Sequence, residues 1–352
     1  MRRMLAYACA ALPERFAGRR RIGYSGGECD LIQVELREHT EVKETQVKDL
    51  RFDGQVAIVT GAGGQPPSLG RTYANYLASR GAKVVVNDLG TGPDGRGILK
   101  ANAEAVVQEI RRAGGEAVAD MNTVADPIGA AAIVSTAIDT FGAVHILVNN
   151  AGVAHLANFD ELSDDDVREM IDVHLLGPIW MCRAAWPHME RQRYGRIVNV
   201  GSAAMFGIAD SAIYGAAKAG TWSLSKGLAV QGASCGIKVN TLLPRAGTVA
   251  ITHLQEPSET TDAIMRQSVD LVAPVVGLLA HRECPCTGKG IEVGGGRAWE
   301  VAFAVTRGYD HDNLDIEDLA AHWDQVIDRR GLEIMPDMFG WEPMTTKPYL
   351  KS

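Results

Sequence analysis

The chain has 352 residues, 46% of them hydrophobic but only 6% aromatic, with 38 glycines and a formal net charge of −8. That charge argues against a nucleic-acid partner, and the sequence has no run of about 20 apolar residues to span a membrane. Such a composition suits an α/β protein with many tight strand-to-helix turns.

Of the six cysteines only Cys284 and Cys286 stand close together. Their one-residue spacing fits neither a zinc ligand pair nor a C-x-x-C redox motif, so no metal is expected. Scattered thiols point to a reducing, cytoplasmic setting. Arg2-Arg3 followed by an apolar stretch has the outline of an export signal, but the stretch is short and Arg19-Arg20-Arg21 follow it. Residues 1–51 show no sustained period and read as a disordered extension, or as sequence from a misassigned start.

From Gln55 the pattern changes. Val56-Ala57-Ile58-Val59-Thr60 is a short apolar run stopped by glycines, which predicts a buried parallel strand. A helix follows over 69–80, then a strand at 83–88, a helix near 100–112, a strand at 116–120 and a helix at 127–141. Residues 145–149 make a fourth strand, and one long helix covers about 164–190. A strand at 196–200, a helix near 212–232 and strands at 238–243 and 290–293 complete the pattern. Alternation at this spacing predicts a doubly wound Rossmann fold, with a seven-stranded parallel sheet and helices on both faces. The catalytic domain spans 52–300, and 301–352 form a tail with a helix near 315–330.

In such a sheet the ligand sits beyond the carboxyl ends of the strands. Gly61, Gly63 and Gly64 follow the first strand there, and the helix opening at Leu69 and Gly70 offers its positive end to a pyrophosphate. Asp88 ends the second strand, where a carboxylate can bind both ribose hydroxyls of a dinucleotide and repel a 2′-phosphate. NAD is therefore expected rather than NADP. Asp120, ending the third strand, is placed to meet the adenine. Asn150, Ala151 and Gly152, after the fourth strand, form a turn where the backbone passes close to something.

Tyr214 and Lys218 are four apart on a helix and share a face. An ammonium beside a phenol favours the phenolate, which would make Tyr214 a usable acid and base near neutrality. Ser202, at the end of the preceding strand, could hold a carbonyl or alcohol oxygen.

Together Thr60-Gly61-Ala62-Gly63, Asp88, Asn149-Asn150-Ala151-Gly152, Ser202, Tyr214-Gly215-Ala216-Ala217-Lys218 and Val239-Asn240 resemble the short-chain dehydrogenase/reductase family over roughly 52–300. The resemblance implies that Ser202 orients the substrate oxygen, Tyr214 passes a proton and Lys218 also holds the nicotinamide ribose. Residues 84–90, 173–177, 183–189, 194–200 and 244–247 are similar to the 3-hydroxyacyl-CoA dehydrogenase domain of the peroxisomal multifunctional enzyme type 2 family. That family includes 17β-hydroxysteroid dehydrogenase activity. The implied substrate has a secondary alcohol and a bulky apolar body. A homodimer or homotetramer built through the helices at 164–190 and 212–232 is implied as well.

Two departures stand out. His174 occupies the position where many family members carry a catalytic Asn; it would relay protons through its side chain or a backbone carbonyl, unless it is simply a satisfied core histidine. Gln65-Pro66-Pro67-Ser68 makes the phosphate loop three residues longer than the family pattern, with Ser68 expected at the close-approach position and its hydroxyl on phosphate. Apolar residues of 203–210 and 246–270, including Phe206, Ile208, Ile251, Leu254, Ile264 and Met265, are expected to wall the substrate pocket, with His155 beside it. Two rivals stay open: a dehydrogenase of another secondary alcohol, such as a terpene alcohol or diol, and a dinucleotide-binding protein without turnover.

Overall fold

A computed structural model describes residues 49–90, 101–153, 155–249 and 258–335. By contacts the chain divides into Met1–Asp49 and Leu50–Ser352, and the elements below belong to the second unit. Most of the expected N-terminal extension lies outside the described residues.

The first strand, β1 (Val56–Thr60), is wholly buried. Val56 and Ile58 pack into one apolar cluster and Ala57 and Val59 into another, because successive side chains leave a strand on opposite faces. A strand apolar on both faces needs helices on both. These are supplied in chain order by α1 (Leu69–Ser79), β2 (Lys83–Asn87), α2 (Ala101–Arg112), β3 (Glu116–Asp120), α3 (Pro127–Phe141) and β4 (Ile146–Asn149). Then come α4 (Asp164–Ile171), α5 (Gly177–Arg191), β5 (Gly195–Val200), α6 (Ala212–Gly232), β6 (Ile237–Arg245), α7 (Glu259–Met265), α8 (Ala273–Ala280) and β7 (Gly290–Gly294). Tyr73 and Leu77 of α1, Val106 and Ile110 of α2 and Val276 of α8 cover one face; Ile133 of α3 and Met181, Ala185 and Met189 of α5 cover the other.

With a last strand β8 (Arg297–Val301), the sheet order is β3-β2-β1-β4-β5-β6-β7-β8, parallel from β3 to β7. The chain winds outward from β1 to β3, then returns to lay β4 on the other side of β1. The crevice beyond the carboxyl ends of β1 and β4 is therefore the topological switch point, where open α/β sheets bind ligands.

Three features correct the expected pattern. The sheet has eight strands, because β8 (Arg297–Val301) folds back antiparallel on β7 through Gly295-Gly296, both at positive φ. A two-residue glycine turn matches the strand twist and makes such a hairpin easy to form. The long helix at 164–190 is interrupted by a π-turn, Asp172–Leu176. The tail carries two short helices, α9 (Ile316–Ala321) and α10 (Trp323–Val326), and a small antiparallel pair, β9 (Ala304–Val305) with β10 (Glu333–Ile334). Among the described residues no helix is long and apolar enough to cross a membrane.

Candidate active site

The switch point is laced shut by Thr60 and Asn150. The Thr60 hydroxyl accepts the backbone N–H groups of Asn150 at 3.0 Å and Ala151 at 3.1 Å. Asn150 Nδ2 returns bonds to the carbonyls of Thr60 at 2.9 Å and Gly61 at 3.0 Å. Gly61 has φ +63°, and a Cβ on it would lie 2.7 Å from Ala151 Cα. The close approach read from Asn150-Ala151-Gly152 is thus in part the approach of one turn to the other.

Asp88, at the end of β2, reaches over the loop. Its carboxylate accepts the N–H of Gly63 and that of Gly90, each at 2.7 Å. Burial raises its pKa, and the two amide bonds oppose that rise. The inserted residues leave Ser68 as the N-cap of α1 with an extended backbone, and its hydroxyl makes no capping bond to the helix. Gly64 lies beside it, since a Cβ there would sit 2.6 Å from Ser68 Oγ. Leu69 and Gly70 open α1. Arg71 pairs with Glu109 of α2 through Nε at 3.0 Å and again through Nη2, and its Nη1 donates to the Gly64 carbonyl at 3.3 Å. Between the inserted loop and residues 265–270 lies a cavity of about 610 Å³.

Asp120 is buried, and its carboxylate is already engaged. It accepts from Asn87 Nδ2 at 2.9 Å, from the Asn122 N–H and Nδ2 at 2.9 and 3.0 Å, and from Thr136 Oγ1 at 2.7 Å. Any adenine contact would have to share a carboxylate that is tying β2 to the turn after β3.

Ser202 follows β5 and caps a short 3-10 turn, accepting the Ala204 N–H at 3.2 Å. Its side chain lies beside the Tyr214 hydroxyl and lowers the pKa of that phenol. One turn further along α6, Lys218 is buried; its Nζ donates to the Val200 carbonyl at 2.6 Å and lies 5.6 Å from the centre of the Tyr214 ring. Tyr214 is half-buried. The electrostatics differ from the sequence-based expectation. Burial pushes the Tyr214 phenol above its ordinary value, with the neighbouring Ser202 hydroxyl working the other way. Burial also draws Lys218 down to about 7. Desolvation of both groups outweighs their mutual attraction, because a buried ammonium is itself disfavoured.

His174 lies on the π-turn and is buried. Its Nε2 is bonded to the backbone of Val153, within 3.1 Å of the N–H and close to the carbonyl. Its own carbonyl accepts the Thr221 hydroxyl at 2.7 Å. Burial, aided by the positive charge of Lys218, holds the imidazole down at about 3, so it is neutral at any physiological pH. A Cβ on Gly152 would stand 2.6 Å from His174 Cε1, so the turn after β4 must pass this ring without a side chain.

Residues 55–263 match the short chain dehydrogenase family. The chain belongs to that family. A short-chain type dehydrogenase/reductase of Mycobacterium tuberculosis is 41% identical over 282 residues, covering 80% of this chain and 96% of the relative. Full-length peroxisomal multifunctional enzyme type 2 from Drosophila melanogaster superposes with a TM-score of 0.70 at 32% identity, over 86% of this chain and 50% of that one. This short-chain dehydrogenase thus spans about half the length of that enzyme. A 7α-hydroxysteroid dehydrogenase, solved with NADH and 7-oxo glycochenodeoxycholic acid, superposes with a TM-score of 0.63 at 27% identity, over 70% of this chain and 96% of that one. Members of the family act on CH–OH groups with a nicotinamide dinucleotide, and so does this dehydrogenase.

The rest of the expected pocket is divided. Phe206 and Ile208 are 62% and 49% exposed, and Met265 lines the 610 Å³ cavity. Ile251 and Leu254 lie outside the described residues. His155 turns to carboxylates, with Nε2 2.8 Å from Glu169 and Nδ1 3.5 Å from Asp166. Sequence reasoning had Thr60 only as part of the family motif, with no role of its own, and missed Val153 and Thr221. Thr221 had a usable signal: it lies three residues after Lys218 and seven after Tyr214, on the same helix face. Val153 had none, and the role of Thr60 could not be read from its motif, since both roles depend on residues distant in sequence.

Proposed function

We propose that this chain is an NAD-dependent dehydrogenase that interconverts a secondary alcohol and a ketone, with a 3-hydroxyacyl-CoA or a hydroxysteroid as substrate. The observation that carries the reading is the placement of Ser202 beyond the carboxyl end of β5 beside Tyr214, with Lys218 one turn along the same helix. Ser202 holds the substrate oxygen, and Tyr214 takes its proton in oxidation and returns it in reduction. Lys218 holds the nicotinamide ribose and stands beside the phenol. His174 fixes the ring of Tyr214 from the side. Bound NAD supplies the hydride acceptor.

The residues at the switch point fit a dinucleotide. The Gly63 and Gly64 turn and the uncapped Ser68 hydroxyl lie at the start of α1, where a pyrophosphate is favoured. Asp88 is placed for ribose hydroxyls. Arg71, a cation at this loop, is neutralised by Glu109, which leaves little to attract a 2′-phosphate and favours NAD over NADP. Asp120 positions the turn after β3. The apolar substrate body is supported by the likeness to the 7α-hydroxysteroid dehydrogenase and the multifunctional enzyme and by the exposed Phe206 and Ile208.

The four described cysteines are free thiols, which suits a reducing compartment, the cytoplasm included. The name of the Drosophila relative is peroxisomal, so location in a peroxisome-like setting is the competing reading. A homodimer or homotetramer through the α4–α5 and α6 helices is part of the proposal.

The test is a panel of 3-hydroxyacyl-CoA thioesters of increasing chain length and of hydroxysteroids, with NADH formation followed optically. Activity with one class, lost by about 10²–10⁴-fold in Tyr214→Phe with NAD affinity retained, is the expected result. Binding of NAD without turnover of any secondary alcohol would leave the dinucleotide-binding rival.

A further inference from the structure

The opposite end of the sheet holds two thiols that the proposed chemistry does not use. Cys284 and Cys286 lie in the connection between α8 and β7, at the amino end of the parallel strands, whereas Ser202 follows the carboxyl end of β5. Cys284 is buried and Cys286 is partly exposed. Their spacing alone gave no reason to pair them.

The fold gives several. Cys284 Sγ lies 3.2 Å from the Cys286 carbonyl, and Asn240 Nδ2 lies 3.6 Å from the same sulfur. Asn240 Nδ2 also donates to the Cys286 carbonyl at 3.1 Å, so one side chain of β6 pins both residues. Each thiol lies near enough to the other to shift its acidity. Lys238 Nζ donates to the Cys284 carbonyl at 2.5 Å, bringing an ammonium to the pair. Two residues two apart in sequence span at most about 7 Å, and disulfides bridge Cα atoms about 4.4–6.8 Å apart. Pro285 fixes one of the torsions between them, which reduces the entropy lost on bridging.

We propose that Cys284 and Cys286 form a reversible intrachain disulfide on exposure to a hydroperoxide. A thiolate is the stronger nucleophile toward a peroxide. The Cys286 sulfur, which solvent reaches, attacks the peroxide oxygen; the O–O bond breaks, the alcohol or water leaves and a sulfenic acid remains. The Cys284 sulfur then attacks that sulfur, forming the S–S bond and releasing water. In total two thiols lose two electrons and two protons, and the hydroperoxide is reduced to an alcohol and water. Cys284, the more acidic thiol, takes the Cys286 proton as that sulfur attacks, so the sulfur that solvent reaches acts as the thiolate. The neighbouring Cys286 and the charges of Lys238 and Arg196 draw the Cys284 thiol down to about 6, and Cys284 in turn pushes Cys286 up. Cys182, buried in the core, is pushed up to about 12 and serves as the unreactive control.

The experiment treats the full chain with hydrogen peroxide, alkylates it with iodoacetamide after unfolding, and maps tryptic peptides by mass. Residues 283–289 form a tryptic peptide holding both cysteines and no other. The expected peptide is unalkylated and lighter by two hydrogens, and it becomes doubly alkylated after dithiothreitol. Bridging should outpace oxidation of Cys182 and Cys235 by at least about tenfold. In Cys286→Ser, with its fold verified by circular dichroism, Cys284 should stay alkylatable after peroxide. Lys238→Met should slow bridging several-fold while leaving its product the same. A doubly alkylated wild-type peptide after peroxide, a sulfinic acid without a bridge, a bond to a second chain, or Cys284 oxidised as fast in Cys286→Ser would each overturn the proposal.

Discussion

The His174 imidazole meets the Tyr214 phenol edge-on, with ring centroids 4.9 Å apart and planes at 87°. An aromatic pair in this geometry holds each ring in place. The imidazole is itself clamped by Val153, so the orientation of the proposed acid–base residue depends on a turn after β4. That chain of contacts makes His174 a positioning residue, and it carries the first prediction.

His174 is neutral in the fold, with a pKa of about 3 against an ordinary 6.5. The unfolded chain therefore binds the extra proton first. The stability tied to this residue is complete above about pH 6.5 and is lost progressively as pH falls toward 3. The loss is about 2 kcal/mol at pH 5 and about 4–5 kcal/mol at pH 3. Chemical denaturation across pH 4–7 should show a steeper decline in wild type than in His174→Phe. Equal slopes would mean that this histidine titrates normally.

Lys218 is the converse case. Burial holds it near 7 against 10.5, so charging it inside the protein costs stability at pH 7. Lys218→Met should raise stability by about 1–3 kcal/mol while cutting turnover by at least about 10²-fold. Thermal melts and initial rates check both halves; a destabilised variant would show that the bond to Val200 outweighs the desolvation of the ammonium.

Tyr214 sets the pH dependence of the reaction. Its phenol lies above its ordinary 10 because it is buried. Alcohol oxidation needs the phenolate and ketone reduction needs the phenol. The kcat/KM for oxidation should therefore climb with pH throughout 7–10, while that for reduction stays level or falls. A flat oxidation profile would place the base elsewhere.

Asp88 should govern the choice of coenzyme. Asp88→Ser removes the carboxylate that accepts Gly63 and Gly90. NAD affinity should fall about 10–100-fold and the preference over NADP should narrow or reverse, as isothermal titration with each coenzyme would show. Unchanged NAD binding would separate Asp88 from the ribose.

Gly152 is constrained by the same ring that positions Tyr214. In Gly152→Ala the new Cβ would fall 2.6 Å from His174 Cε1, and the imidazole must give way. A loss of about 1–3 kcal/mol and a fall in kcat larger than any rise in KM are expected. Wild-type stability would show that the turn can shift at no cost.

What the sequence determined by itself was local or periodic. The buried strands, the helices from 69 to 141 and at 212–232, and the Tyr214–Lys218 face were legible because side-chain period and helical spacing are written along the chain. The eighth strand was missed although Gly294-Gly295-Gly296 marks its turn, and the π-turn was missed because a continuous helical pattern conceals one extra residue per turn. The tertiary structure alone decided the environment of each group. Whether Lys218 is charged, whether Asp120 has lone pairs to spare, and whether Cys284 meets Cys286 depend on desolvation and on partners from distant strands. Neither quantity has a signature in the order of residues, because both are set by what surrounds an atom after the sheet has closed.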